Sequence, residues 1–450
     1  MIRSILITRK GLLKSGRPPI ANNASPGKWI FIISLNAYFL LPFFFPADLF
    51  SPVPKTWRYY VAAYMCILIG AVWDIRRLPQ GIKPDFKRWI GLYAGLLILM
   101  ISQSLIVGEP IQNILWNGVV YLSLIVLAIL GQSRTLWTTL NHVFILQTFV
   151  GSIYILQIIL RSEISQREEL MVLPGINVIS PGSYVIPAVL YALPFILFTL
   201  PMQSRFGKLV AGLGYAGLIL YVLFWQSRVG SVLLIVQLVL FSFILWRCQR
   251  LKIYRVNKIM RFAIVSGFAI AIMIGWTDFG RGLISRSNRG LSLLITRWTM
   301  SGDMLGTSGQ DARIFESGLF LQQVRWHEWL VGRGVAATWQ DPRIYQGAAR
   351  NMLHIGYLHY ILVGGILLFF LMVFPFVRGL RVFLKSKDLI KIATGGIWIE
   401  YSIMLLFYGF PSASLTWVLV GLAFGNCLAV DNCPSPVPTR IHKVQVDMRK

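Results

Sequence analysis

The stretch RNMLHIGYLHYILVGGILLFFLMVFPFV, Arg350 to Val377, decides how the chain is read. It opens polar and turns within a few positions into an apolar run of bilayer length, about 20 residues at a helical rise of about 1.5 Å each. His354 stands at the point where the chain enters that run. An imidazole there gives up hydration, so its partner or its task is the first question about function.

The rest of the chain has the same character. Of 450 residues, 56% are hydrophobic and 13% charged, and the mean hydropathy is +0.65. A string of soluble domains is excluded. Apolar runs fall at 28–46, 57–73, 89–108, 111–131, 137–160, 183–200, 208–225, 229–246, 260–277, 353–377, 391–410 and 411–429. Backbone groups in lipid must be satisfied within their own segment, so each run predicts a helix. The expected fold is an all-α polytopic membrane protein with about 12 transmembrane helices and one large, partly helical extracytoplasmic loop.

The formal charge of +26 sorts by side. With the N-terminus inside and the chain alternating through these spans, the inner segments carry 29 of the 43 basic residues. That is the asymmetry of cytoplasmic loops, and it replaces a nucleic-acid reading of the charge. Residues 1–27 are then a basic cytoplasmic tail and 28–277 hold nine helices. Residues 278–352 form the outer (periplasmic) loop, 353–429 three more helices, and 430–450 a second cytoplasmic tail. The tail before residue 28 lacks an apolar core, so the first span is expected to act as an uncleaved anchor. Cys66, Cys248, Cys427 and Cys433 show no paired spacing, which predicts neither a zinc site nor disulfides.

The outer loop is rich in arginine: nine of them (Arg281, Arg286, Arg289, Arg297, Arg313, Arg325, Arg333, Arg343 and Arg350) and no lysine. A guanidinium fork grips phosphate or carboxylate in a way an ammonium does not. The plainer role of any one of them is pairing with a local acid or a lipid headgroup. Asp311 could cap a helix beginning near Ala312. Arg228, in FWQSRVGS, is confined to a turn between two spans at the outer face. Glu400 lies inside an apolar span, where a carboxyl needs a partner, such as an inward-dipping arginine, or a proton. His354 shares a helical face with Tyr357 and Leu358, while His359, five residues on, lies on another, so the two do not make a joint metal site.

Four stretches in order resemble the O-antigen ligase/polymerase superfamily of bacterial membrane glycosyltransferases. They are GINVISPGSYVIPAVLYALPFILF (175–198), QSRVGSVLLIV (226–236), DARIFESGLFLQQVRWHEWLVGRGVA (311–336), with its Gly332-x-Gly334 pair, and LHIGYLHYILVGGILL (353–368). Ile355 departs from the Asn that the family usually sets beside its histidine. The resemblance implies a glycan donor on undecaprenyl diphosphate, a glycan acceptor, the lipid bilayer as third partner, and no cofactor or metal. It implies His354 as catalytic base and Arg228 and Arg313 as diphosphate ligands; beside them Arg325, Tyr357 and Glu400 are possible supporting residues. It places the chemistry at the outer face of the bacterial inner membrane. The rival readings are a transporter, resembling the inorganic-carbon transporters of the same superfamily, and an envelope scaffold.

Overall fold

The computed structural model describes residues 25–44, 57–75, 84–161, 191–225, 228–250, 309–340, 349–350, 353, 355–406 and 415–429. Within these the chain is almost wholly helical. The helices are α1 (Pro26–Phe44), α2 (Trp57–Ile75), α3 (Pro84–Val107), α4 (Ile111–Leu130) and α5 (Arg134–Arg161). Next come α6 (Leu193–Phe198), a 3-10 turn (Leu200–Met202), α7 (Arg205–Trp225) and α8 (Arg228–Arg250). The cap contributes α9 (Gly309–Gln323) and α10 (Trp326–Val331). Strands β1 (Trp339–Gln340) and β2 (Ala349–Arg350) follow. The chain returns through α11 (Gly356–Lys385), α12 (Leu389–Met404) and α13 (Leu415–Leu428).

Among the described residues, four helical segments are long and apolar enough to cross a membrane: Pro84–Val107, Ile111–Leu130, Gly230–Arg250 and Gly356–Lys385. Shorter apolar helices accompany them in α1, α2 and α13. This agrees with an all-α membrane protein. The run at 260–277 lies outside the described residues.

Close crossings at small residues hold the helices together, as expected where lipid removes the hydrophobic drive between them. Gly421 and Gly425 of α13 form a Gly-x-x-x-Gly pair against α4. A Cβ on Gly425 would stand 1.9 Å from the Ala128 carbonyl oxygen, and one on Gly421 2.8 Å from Leu127. Trp417 locks the same crossing, its Nε1 donating to the Val120 carbonyl at 3.0 Å. Gly70 of α2 does likewise against α1, where its Cβ would meet the Phe31 nitrogen at 2.5 Å. Gly379 of α11 and Gly395 of α12 face each other, a Cβ on Gly395 falling 2.6 Å from the Gly379 carbonyl oxygen. Polar clasps add to these: Gln147 of α5 donates to Asn36 of α1 at 2.9 Å.

Two expectations change. The run that should end near Val377 continues as helix to Lys385, so RGLRVFLK is helix rather than loop. Its cations find carbonyls or water at the helix end: Arg378 Nε donates to the Cys427 carbonyl at 3.2 Å, closing the C-terminus of α13. The run itself is also not one unbroken helix, for it is interrupted at Gly364 and Gly365.

Candidate functional site at the docked cap

The described part of the cap begins with α9, which already contains Asp311, so that residue is not the helix cap the sequence suggested. Ahead of α10, the Glu328 carboxylate accepts from the Arg325 backbone N–H at 2.8 Å, and it accepts from the Arg333 guanidinium at 3.0 Å. Arg333 also donates to the carbonyls of Gln323, at 2.6 Å, and Thr338, at 3.2 Å. One arginine thus ties α9, α10 and the following turn together. The two short strands close the cap as an antiparallel pair, Trp339 opposite Arg350 and Gln340 opposite Ala349.

After α10 the chain dives into the helical bundle. Gly364 and Gly365 leave helical geometry, with φ −132° and +63°, and so free carbonyls of the preceding turn. Those carbonyls are taken by the cap. Arg333 N–H donates to the Leu362 carbonyl at 2.8 Å and Gly334 N–H to that of Val363 at 2.9 Å. On the other side Val335 N–H donates to the Met100 carbonyl of α3 at 3.2 Å, and Ala336 N–H to Ser104 Oγ at 3.1 Å. A broken span is tolerated where neighbouring protein satisfies the freed backbone groups.

The Gly-x-Gly pair follows from this contact. Gly332 has φ +74° and Gly334 φ +105°, both in the left-handed region that favours glycine. A Cβ on Gly332 would stand 2.4 Å from the Val363 carbonyl, and one on Gly334 2.6 Å from that of Met100. From the other side, a Cβ on Gly365 would meet the Leu330 carbonyl at 2.3 Å. Three glycines therefore let three backbones touch. The docking point lies eight to nine residues into α11, about 12 Å along its axis from the first turn.

The candidate residues fall in different parts of this frame. His354 lies outside the described residues. Its neighbour Leu353 is fully buried, and the Gly356 N–H that opens α11 donates to the Leu405 carbonyl at 2.8 Å. Arg228 is the first residue of α8, and Arg313 sits in the second turn of α9. Arg325 is exposed on the cap, at the N-cap of α10. Tyr357 is half-buried and its hydroxyl donates to the Ser402 carbonyl at 2.7 Å, a bond that joins α11 to α12. Glu400 is buried on α12 and accepts from Gln237 Nε2 of α8 at 2.8 Å. Its partner is thus an amide, and no ion pair joins it to an arginine among the described residues. Arg333 turns out to be paired to a local acid, the plainer of the two roles foreseen for the loop arginines.

A buried polar cluster was missed. His359 is buried, its Nε2 3.5 Å from the Tyr121 hydroxyl. Tyr360 and Tyr401 hydroxyls meet at 3.2 Å, and Tyr93 donates to the Tyr121 carbonyl at 3.1 Å. The density of Tyr and His inside apolar runs was the available signal. Among the described residues no three His, Cys, Asp or Glu side chains gather as a metal site. No protein-family model, curated protein or solved structure matches the chain.

Proposed function

We propose that the protein is an O-antigen ligase/polymerase-like glycosyltransferase of the bacterial inner membrane. It moves a glycan from undecaprenyl diphosphate to an acceptor sugar hydroxyl at the outer face. The reading has about twelve spans, both termini in the cytoplasm, and the 278–352 loop outside. A neutral His354 takes the acceptor hydroxyl proton as its oxygen attacks the anomeric carbon. Arg228 and Arg313 hold the diphosphate and stabilise its charge as it leaves, in place of a metal ion. One direct displacement inverts the anomeric centre.

The observation that carries the reading is the docking of the cap into the break of α11. It fixes the arginine-bearing loop against the helix that begins two residues after His354. A loop placed this firmly suits a site whose parts come from cap and bundle together. The test is donor accumulation. In cells carrying His354→Ala the lipid-linked glycan should build up while the protein stays inserted; normal consumption of the donor would sink the proposal.

A second reading keeps some support. Discontinuous helices and buried carboxyls inside spans are also marks of transporters, and α11 and Glu400 supply one of each. Solute uptake into proteoliposomes without any glycan donor would favour that class.

A further inference from the structure

Glu400 and Gln237 meet inside the bundle, and both are almost fully buried. Their one bond at 2.8 Å uses the amide N–H and one carboxyl oxygen. The other carboxyl oxygen, Oε2, and the amide oxygen, Oε1, are both buried without a hydrogen-bond partner among the described residues. As an anion, the pair would hold a charge and two orphaned acceptors in apolar surroundings, each stripped of water with nothing in return. Among the described residues, the charged groups of the helices packed here are engaged elsewhere or distant. On α8, Arg228 and Arg247 lie nine and ten residues from Gln237, about 13–15 Å along the axis. On α12, Lys391 donates to the Ala429 carbonyl at 2.9 Å. On α11, Arg378 donates to Cys427 and His359 lies against Tyr121. Neither α6 nor α13 carries a charged residue.

We propose that Glu400 is held as the neutral acid, its proton on Oε2 donated to Gln237 Oε1, so that acid and amide form a two-bond latch between α12 and α8. One proton supplies the single donor that two unpartnered oxygens lack. A metal cation would need several more oxygen ligands than this pair presents. The latch sets the register of α8, which Arg228 heads, against α12 and through it α11. Glu400 is therefore a positioning residue, and the inference stands whatever reaction the protein performs.

The test is infrared difference spectroscopy of the wild type against Glu400→Gln in bilayers at neutral pH. The expected result is a carboxylic-acid carbonyl band that the variant lacks, that shifts in heavy water and that sodium ions leave unchanged. A carboxylate band in its place, or an acid band lost on adding sodium, overturns the latch. Should the variant fail to fold, the wild type is treated with dicyclohexylcarbodiimide and mapped by mass spectrometry. The acid proton passes to a carbodiimide nitrogen as the carboxyl oxygen adds to its central carbon, and no group leaves. An adduct on Glu400 at neutral pH is expected, and its absence overturns the proposal. Amide should replace acid without loss, so Glu400→Gln keeps the melting temperature that Glu400→Ala and Gln237→Ala lower.

Discussion

Gly365 places the cap more directly than any charged residue does. Its φ of +63° and the 2.3 Å approach of the Leu330 carbonyl leave no room for a methyl group. Gly365→Ala should therefore cost upwards of about 1 kcal/mol and loosen the cap, read as a lower melting temperature and faster proteolysis of 309–340. Wild-type resistance to both would mean that the cap is held elsewhere. The Gly-x-Gly pair was legible in the sequence as a motif. Its reason was not, because the demand for bare backbone comes from Val363 and Met100, distant in sequence. His359, which the sequence placed only on a different helical face from His354, is buried against Tyr121. His359→Ala should lower stability by about 1–2 kcal/mol, the range of one buried contact inside a membrane bundle. At Arg228 and Arg313 the proposed fork chemistry makes lysine a poor substitute. Each Arg→Lys change should reduce transfer on the order of 10²-fold, with full activity marking them as headgroup anchors.

At the scale of elements, apolar runs predicted helices well because in lipid a helix is the only local answer for the backbone. Periodicity could not show the break in α11, since the carbonyls it frees are taken by the cap, 29 residues upstream. Nor could it show that α11 would carry Arg378, Arg381 and Lys385 as helix; long cationic stems can reach water or carbonyls without ending the span. Helix α10 packs against α11, yet exposes Trp326 at 83%, Leu330 at 51% and Trp329 at 38%. Tryptophan favours the headgroup boundary, so α10 is expected to lie at that boundary. With a fluorophore at Trp326→Cys, lipids brominated near the headgroup should quench more than those brominated at the chain end. No quenching by either would place α10 in water.

For the molecule as a whole, charge asymmetry and hydropathy gave the class and a topology, and the described helices agree with the class. The candidate site was legible only as an order of motifs. Whether its residues converge is decided by long-range packing, which one sequence does not encode in any local pattern. The orientation can be checked at Gln322, exposed on α9: a membrane-impermeant thiol reagent should label Gln322→Cys in intact cells. Labelling only after permeabilisation would reverse the topology. The most direct measurement of the central claim is transfer by the purified protein in proteoliposomes supplied with an undecaprenyl-diphosphate-linked glycan and acceptor. The expected result is release of undecaprenyl diphosphate with an inverted anomeric linkage in the product, undiminished by chelators and lost in His354→Ala. Equal transfer by His354→Ala, or a donor left intact by the wild type, would contradict it.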